Sequence, residues 1–215
     1  AGNHDRRGLR AHLRDGIPGV ELVDRPTRVR VAGLALGVLP HVREAADWAP
    51  AARRAVGGGV DLLICHQGFA GARCPGITFR VGRPAETVDA RHLPDGVPAV
   101  LSGHIHPRQT VWCGGVPVVY AGSTERTASS ETEAKGTVRW TLGRTPSWRF
   151  ADHATRPVRR VRDRASAAQS RPGELVSMPP GLLRTLGPEV TARGGILALP
   201  GGPRRTARAQ LRLFA

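Results

Sequence analysis

Asp61-Leu62-Leu63-Ile64-Cys65-His66-Gln67-Gly68 is the stretch that decides the architecture. Asp61–Cys65 reads as a short strand with a continuously apolar body. Alternation would mark a sheet with one wet face, whereas a continuous run marks a strand covered on both faces, in the middle of a sheet. The run stops at a polar His-Gln-Gly. Val97–Leu101 repeats the arrangement, a short apolar strand leading into Gly103-His104-Ile105-His106. Open α/β sheets place their chemistry in the loops at strand ends, and both histidine-bearing segments stand there.

Upstream of this pair, residues 1–19 form a polar loop, with a short helical turn over Leu9–Arg14. Strands follow between Val20 and Leu39, divided by an Asp24-Arg25-Pro26 turn. Glu44–Val56 is predicted to be a helix, interrupted at Pro50 and ended by Gly57-Gly58-Gly59. Downstream, 66–97 is a loop-rich stretch. Val111–Cys113 and Val116–Tyr120 make a hairpin across Gly114-Gly115. Gly136–Leu142 and Ser147–Phe150 are further strands. After Arg156 the composition changes, with Arg159, Arg160, Arg162 and Arg164 crowded before Pro-rich segments. The expected organisation is therefore a main domain over 1–156 and a smaller α/β appendage over 157–215.

The bulk composition sets bounds on function. The chain has 215 residues, enough for a full core, with 40% hydrophobic and 23% charged residues. Its formal charge of +15 is compatible with a nucleic-acid partner, because clustered cations release counterions from phosphate backbones. Nearly all of that charge is arginine, with Lys135 the only lysine, and Ala, Gly and Pro are abundant. A GC-rich coding bias gives the same profile, so basicity alone does not assign DNA. No apolar run approaches the ~20 residues of a membrane span, and no secretory signal pattern opens the chain. Three cysteines, Cys65, Cys74 and Cys113, lack metal-finger spacing and suit a reduced, cytoplasmic protein.

The chemistry resides in three short segments. In a turning loop, His104 and His106 project to the same side and can face one metal cluster. Imidazoles suit Mn, Fe or Zn, and the Asn3 carbonyl oxygen adds a harder ligand. Two such ions ~3.5–4 Å apart clamp a phosphoryl group and supply a nucleophile at neutral pH. Each segment has a plain alternative: His66 as a hydrogen-bonded structural residue, Gly2-Asn3-His4-Asp5 as a compact polar turn. Their joint order, with two at strand ends, specifies a metal site. His12, His41, His92 and His153 lack such context and are expected to be incidental. Trp112 and Trp148 are candidates for stacking on bases or for ordinary packing.

Gly2-Asn3-His4-Asp5, Cys65-His66-Gln67-Gly68 and Gly103-His104-Ile105-His106, in that order, resemble the later motifs of the calcineurin-like metallophosphoesterase superfamily. Gln109, the segment Tyr120-Ala121-Gly122-Ser123-Thr124-Glu125-Arg126, and Glu131, Glu133 and Lys135-Gly136 resemble the SbcD-type nucleases of the meiotic recombination eleven family. The resemblance covers residues 1 to about 156. It implies a four-layer αββα sandwich lacking its first strand–helix units, with a small C-terminal appendage. It also implies two divalent ions, Mn or alternatively Fe or Zn. Asn3, His66 and His104 would ligate the second ion and His106 the first. His4 would stabilise the transition state and protonate the leaving 3′ oxygen, with Asp5 orienting it. Arg108 and Arg126 would contact DNA phosphates.

The implied activity is exonuclease and endonuclease cleavage at DNA ends. It would be carried out with an SbcC-like ATPase, as a homodimer, without a membrane. The superfamily's Asp-x-His and Gly-Asp motifs precede Gly-Asn-His-Asp and are not in this sequence. Weak metal binding and poor hydrolysis are therefore expected of the chain as it stands. Two rivals follow: a generic metallophosphoesterase for small phosphoesters, and a catalytically silent module that binds DNA or a partner protein.

Overall fold

A computed structural model describes residues 2, 3, 18, 22–73, 84–126, 131, 133–143 and 145–198. The chain forms two compact units. The first comprises Ala1–Thr124 with Glu133–Ala154, and the second Glu125–Thr132 with Thr155–Ala215. The second unit thus begins at Thr155 rather than 157 and also takes in 125–132.

The first unit is built on a six-stranded sheet of β1 (Thr27–Val31), β2 (Leu34–Leu39), β3 (Leu62–Cys65), β4 (Val100–Ser102), β5 (Gln109–Cys113) and β6 (Val116–Tyr120). Their order is β1-β2-β3-β4-β6-β5. The four central strands run parallel, and β1 and β5 pair antiparallel at the edges. The apolar run at 62–65 is thus a central strand of a mostly parallel sheet. β1 and β2 join through Ala32-Gly33, both at positive φ (49° and 82°). That is the two-residue turn whose twist matches a hairpin. The strand-rich stretch read after the Asp24-Arg25-Pro26 turn, up to Leu39, is therefore two antiparallel strands around Ala32-Gly33.

Helix α1 (Ala45–Val56) runs through Pro50 without a break. Burial overrides the local penalty: Trp48, Ala52 and Ala55 are fully buried, and Trp48 meets the Phe69 ring edge-on at 5.6 Å. Gly37 lets the helix approach, since a Cβ there would stand 3.1 Å from the Ala55 carbonyl oxygen. Leu39, Leu63, Val100, Val118 and Tyr120 complete this core. On the opposite face of the sheet, Leu36, Val38, Ile64 and Leu101 are half-buried. The same unit carries a two-stranded ribbon of β7 (Gly136–Thr141) and β8 (Ser147–Asp152).

The second unit contains β9 (Val158–Arg160), α2 (Arg164–Ala168), β10 (Leu175–Ser177), α3 (Pro180–Ala192) and β11 (Ile196–Ala198). Its three strands are parallel, in the order β11-β10-β9. Val161, Ala167, Val176, Met178, Leu186 and Val190 form its core. Asp163 caps α2, accepting from Ser166 N–H at 2.7 Å. Glu174 receives Arg159 in a fork, at 2.6 and 3.0 Å. Among the described residues, no helix is long and apolar enough to cross a membrane.

Candidate metal and phosphate site

The register of the parallel strands creates the site. Cys65 of β3 stands opposite Ser102 of β4, and Leu39 of β2 opposite Cys65. The residues that follow each strand, His41, His66 and His104, therefore leave the sheet side by side at one end. The ring centroids of His66 and His104 are 5.3 Å apart. His41 stands 5.7 Å from His104 and 6.2 Å from His66.

Glycines set the position of His66. A Cβ at Gly103 would lie 2.7 Å from His66 Nδ1, and one at Gly2 would lie 3.0 Å from His66 Cε1. Side chains at either position would displace the ring. His66 Nε2 faces Asn3 Oδ1 at 2.9 Å. His104 adopts φ 79°, a left-handed backbone rare for a residue with a Cβ. Strain of this kind costs of order 1–3 kcal/mol and persists where surrounding structure enforces it. Here Gly103 N–H donates to the Cys65 carbonyl at 3.0 Å, pinning the turn to the neighbouring strand.

A buried polar network holds these loops from beneath. Ser102 Oγ accepts from Gln67 N–H at 3.0 Å, and Tyr120 Oη accepts from Phe69 N–H at 2.9 Å. The Gln67 side chain, 2% exposed, accepts from Val42 N–H at 3.4 Å and donates to the Glu86 carbonyl at 3.1 Å. One residue thereby ties the loop after β2 to the loop after β3 and carries His41 to the imidazole cluster. A cleft of about 220 Å³ opens above, walled by Asn3, His41, Arg43, Gln67, Gly68, Glu86 and His104. That is smaller than the ~300–1,000 Å³ pockets of whole small molecules, and it suits a phosphoryl group. Arg43 lies 3.5 Å from Glu86 with its side chain 73% exposed, an arrangement too wet to be a strong structural pair.

The structure thus brings Asn3, His66 and His104 together and adds His41 and Arg43, which sequence reasoning missed. His106 is exposed and is not a wall of the cleft; its carbonyl accepts from Ser123 N–H at 2.9 Å. His4 and Asp5 lie outside the described residues. Arg108 pairs with Asp152 and sits 5.6 Å over the Phe150 ring. Arg126 donates to the carbonyls of Glu131 at 3.0 Å and Arg156 at 2.7 Å, a role internal to the second unit. His92 caps a short turn through Asp89, and His153 Nε2 stands 2.7 Å from the Thr124 carbonyl oxygen.

By type, the amide oxygen and two imidazoles fit one transition-metal ion. Among the described residues, no group of three His, Cys, Asp or Glu side chains is placed to hold a metal. The fit rests, among the described residues, on one amide oxygen and two imidazoles toward one ion. Burial pushes the Cys65 thiol up to about 12, only partly offset by its hydrogen bond to Ser102. Burial, with the Asp89 charge adding to it, takes Cys113 to about 11. Neither is a thiolate at neutral pH, so neither supplies a nucleophile here. No protein family matches the chain, and no curated protein matches it.

Proposed function

We propose that this chain carries the second-metal half of a calcineurin-like phosphoesterase centre and belongs to a metal-dependent DNA nuclease of the SbcD type. One observation carries the reading: Asn3, His66 and His104 converge at the ends of adjacent parallel strands, around a cleft of phosphoryl size. The half-buried second face of the sheet supports the four-layer sandwich, because parallel sheets are covered on both sides.

In this reading Asn3 Oδ1, His66 and His104 would hold an ion, most suitably Mn, with Fe or Zn as alternatives, while His106, expected to serve a second ion, stands outside the cleft. Bound ions supply Lewis acidity toward the phosphoryl group and a nucleophile at neutral pH. Gly103 and Gly2 orient the His66 ring, and Gln67 holds the loop that carries His41 and Arg43. The Arg43 guanidinium at the cleft wall binds phosphoryl oxygens. By the resemblance, His4 would deliver a proton to the leaving 3′ oxygen and Asp5 would orient it; both lie outside the described residues. The protein acts on DNA ends in the cytoplasm, as a homodimer with an SbcC-like ATPase.

A second reading, a DNA- or partner-binding module without hydrolysis, is favoured by the lack of a three-residue ligand group among the described residues. The two separate in one assay of the purified protein on linear duplex DNA with Mn²⁺. Nucleotide release that requires Mn²⁺ and disappears in His104→Ala supports the nuclease. Salt-sensitive DNA binding with no release in any divalent ion supports the binding module. Cleavage confined to small phosphodiesters would instead mark a generic phosphoesterase.

A further inference from the structure

The β7–β8 ribbon has two different faces. Val138, Trp140, Trp148 and Phe150 alternate on the inner one, with the Trp140 and Trp148 rings 5.1 Å apart and Trp148 Nε1 donating to Thr110 Oγ1 at 3.1 Å. The outer face is exposed and puts Arg139 directly opposite Arg149. Like charges in direct cross-strand register, with Cβ atoms about 5 Å apart, repel one another and weaken a ribbon. Among the described residues neither guanidinium has an acidic partner. The ribbon's single carboxylate, Asp152, is taken by Arg108. The neighbours of the pair on the outer face are Thr137, Thr141, Ser147 and Ala151, three hydroxyls and a methyl group. We infer that this outer face is a contact surface for the phosphate backbone of nucleic acid. The juxtaposed, uncompensated Arg139 and Arg149 engage phosphates, and the flanking hydroxyls donate to them.

The chemistry favours nucleic acid over an acidic peptide. Two planar forks side by side match phosphate oxygens bidentately. A two-stranded ribbon also has the dimensions to enter a major groove. The surface goes beyond the metal-site reading and does not depend on it.

The test measures binding of the full chain to a labelled duplex of about 20 base pairs, in EDTA, between about 50 and 200 mM salt. Arg139→Gln/Arg149→Gln should lower affinity about tenfold and make the log–log salt slope shallower by about 2, near one per lost phosphate contact. Arg139→Lys/Arg149→Lys, which keeps both charges and guards against a folding defect, should retain most of the slope. Arg53→Gln/Arg54→Gln removes the same charge from α1 and should change the slope far less. An unchanged slope in the ribbon variant would overturn the proposal. So would an equal loss in the α1 variant, which would assign the effect to overall charge. Poly-glutamate bound as tightly, with the same sensitivity to the ribbon variant, would overturn nucleic acid as the partner. Because EDTA removes the ions, failure of the hydrolase reading leaves this result standing, and the reverse also holds.

Discussion

Gly103 shows how little separates a formed site from a lost one. A methyl group there would stand 2.7 Å from His66 Nδ1, nearer than non-bonded atoms approach. Gly103→Ala is expected to displace the His66 ring and weaken Mn²⁺ binding tenfold or more, while costing about 1–3 kcal/mol in stability through overpacking. Calorimetric titration and urea unfolding check the two halves; unchanged affinity would dissociate His66 from the ion. His66 and His104 were legible in the sequence because each follows an apolar strand within a polar motif. His41 was not, although it stands as close to His104 as His66 nearly does. Leu39-Pro40-His41 has no motif, and only the parallel register of β2 on β3 brings it to the same end. The available signal was its place two residues beyond an apolar strand. Gln67 was legible as part of His-Gln-Gly, but its role as a strut to Val42 and Glu86 depends on contacts distant in sequence.

Elements were read well where a pattern is continuous and poorly where a turn or a crossover decides. The strand at 62–65, the helix ending at Val56 and the hairpin across Gly114-Gly115 all appear in the structure. The Ala32-Gly33 turn was hidden inside an apolar run because alanine is not a turn residue. Its φ of 49° is a conformation that asparagine tolerates better. Ala32→Asn should therefore stabilise the protein by about 0.5–1 kcal/mol, read as a shift in denaturant midpoint; a loss would mean the turn is held by other contacts. In the second unit, the Arg159 guanidinium holds the Glu174 carboxyl below its ordinary value of 4.5. A lowered folded value means the contribution is present above about 4.5 and is lost as pH falls through the folded value. Amide exchange in β9–β11 should accelerate over that acid range, and Glu174→Gln should flatten the dependence. An identical acid profile in the variant would place the sensitivity elsewhere. The parallel β–α–β–α–β order of this unit was not legible, because strands of three residues carry too little pattern to fix pairing.

For the whole molecule, the α/β class was legible from two buried strands and the loops that end them, whereas the mostly parallel pairing of the central sheet is a finding of the structure. The assignment of 125–132 to the second unit was not, since it rests on Arg126 and Glu125 reaching the backbone of Arg156, some thirty residues away. A charge of +15 and a ribbon whose Arg139 and Arg149 lack an acidic partner among the described residues motivate the proposed nucleic-acid contact, and the imidazole cluster at the strand ends motivates the proposed phosphoryl chemistry. The proposed metal site would account for the imidazole cluster, and Mn²⁺ titration of the full chain by calorimetry tests it most directly. The expected result is an ion bound through the strand-end cluster, with affinity falling tenfold or more in each of Asn3→Ala, His66→Ala and His104→Ala. Equal Mn²⁺ affinity in the unaltered chain and all three variants would contradict it.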